Sequence, residues 1–247
     1  MAARSGRQFL DSLHDDRAIW IDGERVLDVT KDYRFAAAAR SMAELYDMQH
    51  DPALRQKLTY PSPTSGERVG LSFIQPRSIE EIVRRREMVK IWMDATCGMF
   101  GRSPDFMNIM ITGFACAADA FGAHDRKYSD NVSNYYLYCR ENDLAMTHTL
   151  VNPQVDRSKP VEKQDKDLAA KIVKETDAGM VINGARMVST LCAYAHELLV
   201  MPSTYLARSR STRRGCDSSA GLLWSTPRRR PLWTTRSHHV STKPMPW

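Results

Sequence analysis

The sequence predicts an α+β fold in which a helical domain precedes a strand-rich one, and three observations carry that prediction. Up to about residue 144, apolar residues recur at helical spacing, and start and stop signals bracket each run. Near Ala145 the pattern turns to short β-branched runs separated by turn residues. The 247-residue chain is 43% hydrophobic and 26% charged, which suffices for a buried core. It contains no run of roughly 18 apolar residues, so no membrane-spanning helix is expected.

The first 60 residues read as helix, short polar hairpin and helix. In IWIDGERVLDV, apolar residues flank Asp22-Gly23, a pair that closes a tight turn between two short strands. FAAAARSMAELYDMQHD is alanine-rich, has apolar spacing near 3.6 and is followed by Pro52, so it predicts a helix. TYPSPTSGERVG carries two prolines and two glycines and predicts a loop. Ser78-Ile-Glu-Glu81 predicts a capping box that opens a helix through IEEIVRRREMVKIWMDATCGM, with Gly98 and Gly101 marking its end. Pro104 suits the first turn of DFMNIMITGFACAADAFG, which is apolar nearly all round and therefore expected to be buried. A further helix runs to about Glu141. AMTHTLVNP then predicts a strand, LAAKIVKETDAGMVINGARMVSTL predicts two strands joined through Asp177-Ala178-Gly179, and HELLVMPS predicts another. The expected domains are 1–144, helical with a small hairpin; 145–208, strand-rich; and 209–247, a tail of different character.

That tail dominates the charge. From Ser209 to Trp247 eight Lys/Arg face one acid, Asp217, so the net +6 of the chain leaves about −1 for residues 1–208. The tail has no glutamate, no apolar period and three of the five tryptophans. Two origins fit: a natural basic, disordered extension suited to an acidic partner or nucleic acid, or translation out of frame. Because the break falls inside a strand-rich domain whose sheet is unfinished, the out-of-frame origin is favoured. The body then argues against a nucleic-acid partner.

Five scattered cysteines form neither a CxxC nor a Cys/His cluster, so no metal site or disulfide framework is expected. Reduced thiols and a polar start without a signal core predict a cytoplasmic protein.

Two side chains stand out chemically. Arg102 lies in a glycine-bounded turn between two helices, where a guanidinium can reach into a cleft; an arginine in a loop is more often simply solvated. His148 lies on the first strand of the second domain, where a structural, hydrogen-bonded histidine is the commoner case.

Five segments in order (WIDGERVLDVT, ELYDMQHDP, GRSPDFMN, MTHTLVNPQVDRSKP and ETDAGMVINGARMVSTL) resemble the oxygenase components of the 4-hydroxyphenylacetate 3-monooxygenase family. The resemblance spans residues 1–208. It implies an acyl-CoA dehydrogenase-like fold: an amino-terminal helical domain, a β-barrel domain that is incomplete here, and a carboxy-terminal helical bundle that is missing. It implies an enzyme that takes reduced FAD from a separate flavin reductase, uses O2, and hydroxylates a phenolic substrate ortho to its hydroxyl. A homo-oligomer, tetramer or dimer, is implied for the full-length protein, with no membrane partner. Matching positions imply Arg102, Phe106 and His148 at the substrate, with Arg102 and His148 catalytic. His148, Thr149, Leu150, Gln154, Val155, Asp156, Arg157 and Thr190 are implied at the flavin. An electron-rich ring is needed for the oxygen transfer, so a cation or donor that favours the phenolate suits Arg102 and His148.

One position departs from the family, which often has a tyrosine where Phe106 stands. A phenyl ring packs but neither donates a hydrogen bond nor acts as acid or base, which puts 4-hydroxyphenylacetate itself in doubt as substrate and points to a related phenol. Two alternatives stay open: a truncated, non-catalytic fragment that binds FAD poorly and aggregates, and a dehydratase of the same superfamily. The scattered cysteines argue against the cluster chemistry of the latter.

Overall fold

The computed structural model describes residues 3–159, 163–164, 168–176 and 179–201, together with the strands Leu223–Ser225 and Leu232–Thr234. In chain order come helix α1 (Gly6–Ser12), the hairpin β1 (Ala18–Ile21) and β2 (Glu24–Val26), α2 (Ala36–Met48), α3 (Arg55–Leu58), β3 (Thr59–Pro61), β4 (Arg68–Gly70), and a 3-10 turn at Leu71–Phe73. Then follow α4 (Ile79–Ala95), α5 (Pro104–Cys116), α6 (Ala118–Phe121), α7 (Arg126–Glu141), β5 (Met146–Thr149), β6 (Lys171–Thr176), β7 (Gly179–Asn183), β8 (Glu197–Val200), β9 (Leu223–Ser225) and β10 (Leu232–Thr234). Contacts group these residues into two compact units. One comprises the chain up to His14 with Val29–Met146; the other comprises Asp15–Asp28 with the described residues from Thr147 onward.

The helical unit is built on apolar faces at helical spacing. Helix α2 buries Ala39, Met42, Ala43, Leu45 and Tyr46, and Phe9 of α1 stacks on Tyr46 with ring centroids 4.9 Å apart. Leu45, Leu58, Leu71, Ile74, Met88 and Trp92 meet in one core cluster. Burying each of these side chains contributes about 2 kcal/mol. Helix α1 opens with a capping box: the Gln8 amide donates to Ser5 Oγ at 3.2 Å, and the Ser5 amide to Gln8 Oε1 at 2.9 Å.

Three local expectations change in this unit. At α4 the Glu81 amide does donate to Ser78 Oγ, at 3.3 Å. The Glu81 carboxylate, however, accepts from the amide of Arg77 at 2.6 Å, one residue earlier than a capping box requires. The segment expected to be a loop, 59–70, is an antiparallel hairpin pairing Thr59 with Gly70 and Pro61 with Arg68. Its tip is held from α7: the Ser62 and Ser65 hydroxyls each donate to the Glu141 carboxylate at 2.6 Å, and Arg140 Nη2 donates to Thr64 Oγ1 at 2.7 Å. Tertiary partners thus override the proline and glycine signals. Finally, the long helix expected from Asp105 breaks at Ala117, where the backbone leaves the α region (φ −107°, ψ 23°), and α6 begins. Helix α5 buries only one face, through Met107, Asn108, Ile111 and Thr112.

The strand unit holds a sheet of order β10-β1-β2, a sheet of order β5-β8-β9 and the hairpin β6-β7. In the first hairpin Asp22 and Gly23 both take positive φ (50° and 86°), as a tight strand-reversing turn demands. The span 1–144 read from sequence keeps this hairpin with the helices; its contacts place it in the strand unit. The cause is visible within that unit: β1 pairs in parallel with β10, and Arg17 Nη1 donates to the Ala193 carbonyl at 2.8 Å. No regular structure is expected beyond Ser209, yet β9 pairs with β8 and β10 with β1. Both are Leu-Trp segments followed by Ser or Thr, a composition suited to strands. The rest of 209–247 lies outside the described residues, as does the Asp177-Ala178 part of the turn expected between β6 and β7.

Candidate active site

The end of α4, the turn from Gly98 to Ser103 and the start of α5 enclose a groove of about 540 Å³ in the helical unit. Val89 and Met93 of α4, Phe100 of the turn, and Phe106, Ile109 and Met110 of α5 give it an apolar lining. The turn is made by Cys97 and Gly98, both at positive φ (52° and 69°), which lets the chain reverse out of α4. Pro104 then starts α5 at a position where its missing amide costs nothing.

Arg102 sits in this turn, exposed to solvent. Its neighbours Gly101 and Ser103 line the groove. The guanidinium lies over the Phe106 ring, 4.4 Å from its centroid, and Nη1 donates weakly to the Gly101 carbonyl at 3.3 Å. Among the described residues no carboxylate pairs with it. A cation held against an aromatic face beside an apolar groove is suited to an aromatic ligand carrying a negative charge. So the structure brings two of the sequence-derived residues, Arg102 and Phe106, together.

A third polar group at the groove was not singled out from the sequence. Asp105 lines it, yet is only 6% exposed. Its carboxylate accepts a hydrogen bond from Ser103 Oγ. Burial pushes the Asp105 carboxyl above its ordinary value, against the lowering effect of Ser103. The Ser-Pro-Asp run at a helix start is the signal that could have found it, since serine before Pro-N1 puts both side chains in the first turn of a helix.

The remaining sequence-derived residues belong to the strand unit. Successive side chains on a strand alternate in direction. In β5, Thr147 Oγ1 donates to the Thr190 carbonyl at 2.5 Å and Thr149 Oγ1 to the Met187 carbonyl at 2.9 Å. These two therefore face the 187–190 segment, and His148, half-buried, points to the other face of the strand. The Thr149 hydroxyl is committed to main chain, Leu150 is half-buried, and the Thr190 side chain is exposed. Gln154, Val155 and Arg157 are exposed on the following loop. Asp156 is occupied locally: it accepts from the Ser158 amide at 3.0 Å and hydroxyl at 2.6 Å and pairs with Lys159 at 3.0 Å, which hold its carboxyl below the ordinary value. Its ion-pair partner is Lys159, three residues on, and not the adjacent Arg157.

Near Thr190 the backbone carries two residues at positive φ, Val188 (59°) and Leu191 (68°). A β-branched residue in that region is a steric outlier, and such outliers gather at ligand-binding segments. No periodicity in the sequence could have shown it. Among the described residues the Gln154 amide, the Thr190 hydroxyl and the Arg157 guanidinium have no partner and could serve a polar ligand. The Thr149 hydroxyl and Asp156 carboxylate already make hydrogen bonds of their own. Among the described residues no cluster of His, Cys, Asp or Glu could hold a metal ion, and no helix is long and apolar enough to cross a membrane.

Comparison with known proteins covers the same stretch of the chain. Residues 5–213 match the profile of the 4-hydroxyphenylacetate 3-hydroxylase N-terminal family. The chain belongs to this family. The oxygenase component of 4-hydroxyphenylacetate 3-monooxygenase from Thermus thermophilus is 43% identical over 206 residues, 83% of this chain. The chain spans 41% of that relative's length. A crystal structure of a family oxygenase component complexed with FAD and 4-hydroxyphenylacetate superposes with a TM-score of 0.81 at 38% identity, covering 93% of this chain and 46% of that one. An archaeal 4-hydroxybutyryl-CoA dehydratase from N. maritimus shares the fold at 22% identity, with a TM-score of 0.70 over 81% of this chain and 40% of its own. The helix-then-sheet architecture read from the sequence is therefore that of the family and of a more distant relative.

Proposed function

We propose that this chain carries the phenol-handling part of a flavin-dependent aromatic monooxygenase, with Arg102 holding the phenolic oxygen as its anion. The observation that supports this reading most directly is the carboxylate-free guanidinium of Arg102, stacked on Phe106 beside the apolar groove. The ring of a monophenol is accommodated by apolar walls, and its oxygen gains from a charge-assisted hydrogen bond. A cation there lowers the pKa of a bound phenol, and the phenolate it favours is richer in electrons at the ortho carbon than the neutral phenol. Phe106 contributes packing and the cation–π contact only.

FAD, when bound in reduced form, supplies the oxygen-activating chemistry. His148, Gln154, Arg157 and Thr190 are proposed to hold it. Leu150 and Val155 offer it apolar contact, while the Thr149 hydroxyl ties β5 to Met187 and the Asp156 carboxylate ties its own loop. A separate flavin reductase, O2, a β-barrel completed by further strands, a carboxy-terminal helical bundle and a homo-oligomeric assembly belong to this proposal. So does the cytoplasm as the place where reduced flavin is available.

The test combines binding and turnover. The purified chain titrated with 4-hydroxyphenylacetate and a panel of other monophenols binds at least one of them, and Arg102→Met weakens that binding about tenfold or more. Supplied with a flavin reductase, NADH, FAD and oxygen, it forms a catechol. Peroxide without catechol, together with no phenol binding, overturns the reading. A second reading is favoured by the 41% span of the Thermus relative: the chain binds the phenol but does not turn it over, and then binding is retained while only peroxide appears.

A further inference from the structure

We infer that Ser103 and Asp105 form a positioning device that sets the orientation of Arg102 over Phe106, and thereby the affinity of the groove for an anionic aromatic ligand. This inference rests on the function proposed above for that groove. Its basis is the order of four residues along the chain. Arg102 is followed by Ser103, and Phe106 is preceded by Asp105. The hydrogen bond from Ser103 Oγ to the Asp105 carboxylate cross-ties the inner two residues, so the outer two, the guanidinium and the ring 4.4 Å beneath it, are held by one clasp.

Three features set this clasp apart from an ordinary helix cap. A serine at the N-cap normally accepts from the amide two or three residues on; here Ser103 makes no such bond and donates to Asp105. The main-chain link that closes the first turn, Phe106 amide to Ser103 carbonyl at 3.1 Å, is present without help from the side chains. Both side chains are also almost fully buried, at 5% and 6% exposure, beside an exposed arginine. Placing a carboxylate there is costly, and besides meeting its own main-chain amide it takes the Ser103 hydroxyl. What the pair adds is a fixed turn, so that Arg102 need not order itself when the ligand arrives.

The test uses the whole chain and two independent readouts. In Ser103→Ala, the Arg102 Nε–H signal in the 15N NMR spectrum loses its ordered relaxation behaviour and moves toward that of an unrestrained arginine such as Arg84. Affinity for the best-binding monophenol falls about tenfold, because the ordering cost moves to the binding step. Ser103→Thr keeps the hydroxyl and restores both. Asp105→Asn, which retains an acceptor, lies between wild type and Ser103→Ala. If Arg102 relaxation and phenol affinity are unchanged in Ser103→Ala while the melting temperature falls, the pair is a structural cap and the inference is overturned. If the wild-type chain binds no monophenol, the proposed function fails, and the Arg102 relaxation readout still decides whether the clasp orders the arginine.

Discussion

Asp143 is a buried carboxylate whose neighbours can be enumerated. Its Oδ2 accepts the Arg4 amide at 2.9 Å and Gln49 Nε2 at 2.8 Å, and its φ of 46° places it in the left-handed region. Burial pushes its carboxyl up, outweighing those two donors and the nearby Arg4 charge. A folded pKa above the unfolded one means that the protonated form is favoured by folding. This contribution stabilises at low pH and is lost as pH rises through the folded pKa. Asp143→Asn keeps an acceptor for both donors and cannot ionise, so its melting temperature should gain on wild type as pH goes from about 4 to 7. Asp143→Ala leaves the Arg4 amide and Gln49 Nε2 without that acceptor and should cost about 2–4 kcal/mol at low pH, a cost that shrinks as pH rises and the wild-type contribution is lost. A pH-independent difference for the Asn variant would show that the carboxylate is not held up by burial. Glu141 has the opposite sign. Burial raises its carboxyl, but the Ser62 and Ser65 hydroxyls and Arg140 outweigh that and hold it below its ordinary value. Its stabilising effect is therefore present above the unfolded pKa and lost as pH falls through the folded one, and Glu141→Gln should flatten the acid side of the stability curve. At this scale the placing of Arg102 in a turn between two helices was legible from its bounding glycines, whereas Phe106 came to notice only through the resemblance. The Ser103–Asp105 bond was not, because nothing in a linear sequence says that an aspartate two residues after a cap will be sealed from water.

Among the elements, the contact of α1 with α2 depends on one missing side chain. A Cβ on Gly6 would lie 2.4 Å from the Ala43 carbonyl oxygen and 2.5 Å from Asp47 Oδ2, and the Gly6 amide donates to Asp47 Oδ1 at 2.6 Å. The carbonyl is backbone and cannot swing aside, so Gly6→Ala must part the helices and unstack Phe9 from Tyr46. We expect a loss of about 2–3 kcal/mol by chemical denaturation; a change below about 0.5 kcal/mol would mean that α1 is free to shift. Helix positions were legible because each carries its own start signal and apolar stripe: α2, α4, α5 and α7 all form within the segments expected of them. The hairpin at 59–70 was missed because its stabilising partners, Arg140 and Glu141, come from α7. The α5 break was missed because an all-apolar run hides which face will be covered. Positive φ at Val188 and Leu191 was not legible either, since a β-branched valine favours extended backbone and nothing in the sequence marks either residue for the left-handed region.

For the whole molecule, the chain leaves the helical unit after His14, builds a hairpin with the strand unit, and returns at Val29. The sequence showed the hairpin through Asp22-Gly23 but not its membership, since its partners β10 and Ala193 come from the far end of the chain. Arg17 anchors it. Its guanidinium forms a two-pronged pair with Asp15 (Nε–Oδ1 2.6 Å, Nη2–Oδ2 2.7 Å) and donates to the Ala193 carbonyl at 2.8 Å, at 7% exposure. Arg17→Met keeps the apolar stem and the main-chain amide that donates to Asp15 Oδ1 at 3.1 Å, but removes the fork, leaving the Ala193 carbonyl without its donor and the carboxylate with that one amide. The pair is partly screened at Asp15, so the expected cost is about 2–3 kcal/mol. That cost should fall on one unit. Hydrogen exchange should show weaker protection of the Glu197–Val200 amides in β8, which follow Ala193 directly, while the Ala36–Met48 amides of α2 keep theirs. Equal loss in both would mean that the two groups of residues open as one cooperative body. In that case the hairpin's contacts serve the entire chain, and the assignment of residues 15–28 to the strand unit would lose its energetic meaning.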